Sequence, residues 1–219
     1  MYCPYCNHSH IYSLATGQSK CAKCLKKFSI KKIKRDAELV KVFCENKSVN
    51  KSSKELGINY VTVKKRFELF RSLIANYLEE QYNKYPVDEY DEYIYLPKSK
   101  KKIPRNIFDS QNFLTFSYKQ TQIYNLLMPN INRYKEQFLD DGLDETYFKE
   151  FSKFMMFNKI TKTTKRDNTI TRFWNFFEES IVKYKGIDNE NFIYYLKECE
   201  FKFNYTIDEQ IEILNKLYF

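Results

Sequence analysis

Cys3-Pro4-Tyr5-Cys6 and Cys21-Ala22-Lys23-Cys24 open the chain with two Cys-x-x-Cys knuckles separated by 14 residues. Each knuckle sets two thiolates on one tight turn. A short hairpin joining two knuckles brings four soft sulfurs to about 2.3 Å from a single Zn²⁺. The spacing therefore predicts a tetrahedral Cys₄ zinc ribbon over residues 1–30, with Cys3, Cys6, Cys21 and Cys24 as ligands. Four thiolates leave no open coordination position, so the expected metal is structural and staples a hairpin too poor in apolar residues to fold alone. His8 and His10, the only histidines of the chain, are the alternative ligands. A ribbon of this kind points toward nucleic acid.

The charge distribution points the same way. Residues 1–71 hold 16 Lys and Arg against 5 Asp and Glu, a surplus of 11, whereas the other 148 carry 21 against 23. An excess of one sign confined to one third of a chain is the electrostatic footprint of a phosphate-binding module. Hydrophobic residues at 43% and 38 Tyr and Phe together mark a globular chain. Only four glycines are present, and neither a dinucleotide fingerprint nor a phosphate-loop sequence occurs. No apolar run has the length of a membrane span, and the first knuckle leaves no room for a signal peptide, so a soluble, cytoplasmic, nucleoid-associated protein without a membrane partner is expected. Cys44 and Cys199 are isolated and read as buried thiols.

Downstream of the ribbon, Ala37, Leu39, Val40, Phe43 and Cys44 recur at helical spacing and give a helix to about Glu45. Asn46 to Asn50 breaks it, Lys51 to Leu56 forms a short helix, and Tyr60 to about Tyr82 a long one. Between the last two, Gly57 suits a left-handed turn and Asn59 an N-cap. The run Ser52 to Val63 thus has the grammar of a helix-turn-helix, with Ser53 small enough for close helix approach and Leu56, Ile58, Val63 and Phe67 filling the interior. A duplex DNA-binding domain over residues 31–84 follows. Asn59 opens its third helix, Tyr60, Val61, Lys64 and Lys65 face the major groove, and Lys54, Arg66 and Arg71 meet phosphates.

From Pro86 the pattern changes. Val87 to Leu96 alternates acidic and aromatic residues and reads as a strand, Asn112 to Ser117 and Gln122 to Met128 as a hairpin, and Glu145 to Phe157 as a helix. Ile170, Phe173, Trp174, Phe177 and Ile181 mark an amphipathic helix, followed by helices at Asn189 to Phe201 and Ile207 to Leu217. Ribbon, helix-turn-helix and a strand bearing Asp-Glu, in that order, resemble the zinc-ribbon insertion-sequence transposases of the ISXO-like group. Asn168-Thr169-Ile170-Thr171-Arg172-Phe173-Trp174 looks like the family's Asn-Thr-Ile-Glu-Gly-Phe-Trp segment, and Tyr195-Leu-Lys-Glu-Cys-Glu-Phe-Lys-Phe-Asn204 like its Tyr-Leu-x-Glu-x-Glu-Phe-Arg-Phe-Asn ending.

That resemblance implies an α+β protein whose residues 85–219 form a compact RNase H-like domain with a DDE catalytic centre. Carboxylates from separate elements would hold two Mg²⁺ about 4 Å apart for strand cleavage and transfer. By resemblance, the first acid is Asp91, with Asp88 as the alternative. The second is Asp141 of Leu139-Asp140-Asp141-Gly142, and the third position, Asn or Glu in the family, falls on Asn168. Thr171 stands where the family has Glu, and Glu178 where it has Lys, so the acidic triad reads as incomplete. The implied partners are double-stranded DNA and further copies of the chain, as a homodimer or higher homo-oligomer. The implied function is an active transposase recognising insertion-sequence ends. The first rival is a catalytically inactive domesticated descendant acting as a DNA-binding regulator or defence component. The second is a zinc-ribbon adaptor acting on RNA or a polymerase.

Overall fold

The computed structural model describes residues 2–96, 110–129, 168–184 and 191–219. It shows a mixed α+β chain with two three-stranded antiparallel sheets and six helices among these residues. The chain divides into two units, Met1–Tyr77 with Tyr205–Phe219, and Leu78–Asn204. The expected helix at Glu145 to Phe157 and the Asp141 position lie outside the described residues.

The first unit begins with strands β1 (Ile11–Ser13), β2 (Ser19–Cys21) and β3 (Lys27–Phe28), in the order β1-β2-β3. Helices α1 (Ile30–Cys44), α2 (Val49–Leu56) and α3 (Tyr60–Tyr82) follow. Each start has a local cause. The Ser29 and Ser48 side chains accept from the backbone N–H groups of Lys32 and Lys51 at 3.4 and 3.2 Å, and Asn59 Oδ1 accepts from Val61 N at 2.9 Å. Gly57, at φ 62°, closes α2 in the left-handed conformation and donates to Ser53 O. The end of α2 and both ends of α3 match the sequence reading, whereas α2 starts two residues earlier, behind the Ser48 cap, and α1 starts at Ile30, behind the Ser29 cap and ahead of the apolar run from Ala37.

Phe43 meets Phe67 and Phe70 edge to face at 5.0 and 5.5 Å, and Leu39, Val40, Val63 and Ile74 are fully buried with them. One residue of the predicted interior changes place. Ser52, not Ser53, is the fully buried small residue, while Ser53 Oγ donates to Ile58 O at 2.6 Å and ties the turn to α2.

The chain ends in this same unit. The final helix packs on α1, so residues 205–219 belong to the first unit. Tyr218 lies edge-on to Phe70 at 5.3 Å and its hydroxyl donates to the buried Asp36 Oδ2 at 2.7 Å. Periodicity could not show this, because the partners are 182 residues apart.

In the second unit, β4 (Val87–Tyr95), β5 (Gln111–Tyr118) and β6 (Gln122–Met128) form a meander with β5 central. A bulge between Val87 and Glu89 frees Asp88. Its carboxylate accepts from Gln120 N at 2.7 Å, steadying a β5–β6 turn in which Lys119 and Gln120 both adopt positive φ. Helices α4 (Thr169–Ile181) and α5 (Phe192–Asn204) pack on this sheet, and α6 (Ile207–Tyr218) returns to the first unit. Ile170, Phe173, Trp174, Phe177 and Ile181 all point from α4 into the core, where Trp174 stacks on Tyr93 at 3.4 Å. No helix of the described residues is long and apolar enough to cross a membrane.

Candidate metal centre and nucleic-acid interface

The two knuckles are near copies of each other. Cys3 N donates to His8 O at 2.9 Å and Cys21 N to Lys26 O at 3.1 Å, the same five-residue closure. The residue after each second cysteine, Asn7 or Leu25, takes φ 54° or 59°. Asparagine tolerates the left-handed region readily, whereas Leu25 adopts it at a cost. The result brings Cys3, Cys6, Cys21 and Cys24 together with all four Sγ atoms within 4.8 Å of one another. Cys3 and Cys24 are 3.6 Å apart, and Cys6 and Cys21 3.5 Å. Four sulfurs at about 2.3 Å from one ion have tetrahedral edges of about 3.8 Å, so the set fits a single thiolate-ligated metal. Among the described residues it is the one group of three or more metal-ligating side chains close enough to share an ion. Neither His8 nor His10 joins it.

Thiols packed this closely do not ionise alike. Burial opposes the Cys21 thiolate, but the backbone N–H groups of Cys24 and Lys23, with the Cys6 and Cys3 thiols, bring it down to about 6. Cys6, helped by the His8 backbone N–H, is nevertheless pushed up to about 11 by burial and by the other three sulfurs. A cation at the centre of such a group favours the thiolate form of its ligands.

The N-terminal half of α3 is sorted by its packing. Val63, Phe67 and Phe70 face the interior, and Tyr60, Val61, Lys64 and Lys65 lie on the exposed side, Tyr60 and Val61 being half exposed. Lys54 on α2 and Asn59 at the turn are exposed as well. Lys64 meets Glu68 at 3.8 Å in an open i,i+4 pair that is weak enough to release it. Two arginines of α3, Arg66 and Arg71, are more enclosed than these lysines. Arg66 is half-buried, 3.7 Å from Asp36 and over the Tyr218 ring at 5.6 Å. Arg71 is buried, with its guanidinium over the Phe43 ring at 5.8 Å.

On the second unit Asp91 lies on β4 and Asn168 at the start of α4, with Asp141 outside the described residues. Asp91 accepts from the adjacent Glu92 N at 2.9 Å and is paired in register with Thr115. Asn168 is the N-cap of α4. Its Oδ1 accepts from Thr171 N and Thr171 Oγ1 at 3.0 and 2.8 Å, while its Nδ2 donates to Glu89 Oε2 at 3.1 Å. The β4 acid that meets Asn168 is therefore Glu89, two residues before Asp91. Glu178 accepts from the Tyr93 hydroxyl at 3.2 Å and is committed to the interior.

A Haemophilus influenzae protein described as an uncharacterized transposase-like protein is 47% identical to this chain over 51 residues, 23% of this chain and 42% of that protein. The match thus spans less than half of that relative's length. No family model matches the chain, and no solved structure matches it. The likeness supports a transposase-like relationship.

Sequence reasoning missed the chemistry buried in the two C-terminal stretches. Trp174 Nε1 donates to Thr115 Oγ1 at 3.1 Å, Thr115 Oγ1 donates to Asn125 Oδ1 at 2.6 Å, and Asn125 Nδ2 donates to Glu200 Oε1 at 2.9 Å. Lys197 Nζ closes the chain on Glu200 Oε2 at 2.9 Å and on Asn125 O at 2.6 Å. Burial pushes the Glu200 carboxyl up and the Lys197 ammonium down, and their pairing opposes both shifts. Four residues on, Asn204 accepts from Ile123 N and donates to Ile123 O, both at 2.8 Å. Lys197, Glu200 and Asn204 therefore pair with the backbone of β6 as a further strand would, and close that edge.

Proposed function

We propose that the chain is a transposase or transposase-derived protein whose N-terminal unit binds double-stranded DNA sequence-specifically. In this reading residues 1–30 are a ribbon organised by zinc, the ion best suited to four thiolates in a closed tetrahedral site. Helices α1 to α3 are a helix-turn-helix, with Tyr60, Val61, Lys64 and Lys65 of α3 reading the major groove and Lys54 with Asn59 at its edge. The observation that carries the reading is that half of α3. Its apolar side, Val63, Phe67 and Phe70, is locked into the unit, so two lysines and a tyrosine stand outward on a rigid helix. The transposase-like relative supports the biological assignment.

Two experiments test it. The full chain, immobilised and incubated with sheared genomic duplex, should enrich a discrete sequence carrying inverted repeats; recovery of duplex without sequence preference would refute specific recognition. Elemental analysis of protein purified without chelator should find about one zinc per chain, lost on Cys21→Ser.

The second reading, an inactive descendant that keeps DNA binding, is favoured by one observation. Asn168 uses its side-chain oxygen to cap its own helix, and Thr171, at the family's acidic position, bonds to it. An acid at either position would help to neutralise a two-metal centre. Divalent-ion-dependent nicking of the enriched duplex should be weak or absent, and robust nicking abolished by Asp91→Asn would restore the active-enzyme reading.

A further inference from the structure

The ribbon carries a second surface that the helix-turn-helix does not use. In its sheet Tyr12 pairs in register with Lys20, and Lys20 with Lys27. Residues paired across antiparallel strands share a face, so these three side chains form one transverse row, about 5 Å from strand to strand. The opposite face carries Cys21, Ser19 and Phe28, all buried, with Cys21 and Phe28 in one cluster with Cys3, Cys6 and Cys24. Tyr12 is 52% exposed, and His10 stands edge-on to its ring at 5.0 Å. Neither lysine forms an ion pair among the described residues. The surrounding sequence has one sign: residues 1–35 hold eight Lys and Arg and no Asp or Glu. Even with four thiolates around a divalent ion, which leaves the centre at −2, the segment stays positive.

We propose that this outward face binds single-stranded DNA, one unpaired base stacking on Tyr12 while its backbone passes Lys20 and Lys27. Charge complementarity selects a polyanion. The exposed aromatic ring then selects the single strand, since only an unpaired base offers a π-face, whereas a duplex offers the lysines its phosphates alone. The inference rests on the N-terminal unit being a nucleic-acid binder, but not on α3 entering a groove. It gives the unit two contacts of different kinds, duplex on α3 and an opened strand on the ribbon.

The test uses the full zinc-loaded chain and two labelled probes, an oligothymidylate of roughly 16 nucleotides and the duplex enriched as above. The wild type should bind the oligothymidylate with an affinity that falls as salt rises. Tyr12→Ala should weaken that binding by about 5- to 150-fold, the loss of one stacked base, and Tyr12→Phe should restore it. Lys20→Ala combined with Lys27→Ala should flatten the salt dependence. An unchanged zinc content in each variant separates lost contact from lost fold. Wild type that binds duplex but not oligothymidylate, or Tyr12→Ala that binds oligothymidylate as tightly as wild type, would overturn the proposal. Tyr12-dependent oligothymidylate binding without any duplex binding would uphold it and refute the reading of α3 instead.

Discussion

Glu200 is fully buried and still accepts three hydrogen bonds, two from Asn125 and one from Lys197. Removing one partner of such a pair is worse than removing both, because the survivor is left charged away from water. Glu200→Ala should therefore destabilise the second unit by about 3–5 kcal/mol. Asn204→Ala, which strands one backbone N–H and one C=O of Ile123, should cost about 1–3 kcal/mol. Urea unfolding followed by the fluorescence of Trp174, the only tryptophan and a core residue of that unit, measures both. Equal losses would mean that Lys197 is not held by Glu200. Tyr218 is the second informative residue. Burial and its bond to Asp36 push its phenol up to about 12 from an ordinary value of 10.0. A folded pKa above the unfolded one gives stability that is complete below the unfolded value and is lost as pH rises between the two. The melting-temperature gap between wild type and Tyr218→Phe should thus be full at neutral pH and narrow between pH 10 and 12. A gap constant over that range would show that the hydroxyl does not donate to Asp36. None of these buried charges was legible in sequence, where Asp36, Lys197 and Glu200 fall in ordinary mixed-charge helix patterns. The likeness of residues 195–204 to a family ending marked the segment without giving its cause, which is the closing of a sheet edge.

Elements were far more legible, because their starts and stops are local. Gly57 and Asn59 fix the end of α2 and the start of α3 through bonds to neighbouring backbone, whereas the Ser48 cap lay inside the expected break. The two Cys-x-x-Cys knuckles fix the ribbon in the same way. Gly57 can be tested directly: it sits at φ +62°, and a Cβ built on it meets nothing within 4 Å. Gly57→Ala should therefore cost only the backbone term, about 1–2 kcal/mol, with Gly57→Asn costing less. Hydrogen exchange at α2 amides would report the loss, and an unchanged protection pattern would contradict a left-handed cap. The misplaced small residue, Ser53 for Ser52, shows the limit of this legibility. A short helix with one apolar turn leaves its rotation undetermined by about one residue.

At the scale of the whole molecule, sequence order and spatial order part company. The chain passes through a second unit and returns with α6, so the proposed DNA-binding unit includes residues 205–219. Arg66 lies 3.7 Å from Asp36 of α1 and over the ring of Tyr218 from that returning helix. No periodic pattern encodes such a return, since it is made by contacts distant in the chain. What the sequence does show at this scale is the charge: the surplus of 11 lies entirely in residues 1–71, and the exposed Lys64 and Lys65 of α3 are part of it. The most direct measurement is the affinity of the full chain for the enriched duplex and for a scrambled duplex of equal length, in wild type and in the Lys64→Ala, Lys65→Ala double variant. The double variant should lose about 5- to 150-fold on the enriched duplex, the worth of a base contact, and much less on the scrambled one, so that discrimination collapses. Undiminished affinity and undiminished discrimination in the double variant would contradict the assignment of α3 as the reading helix.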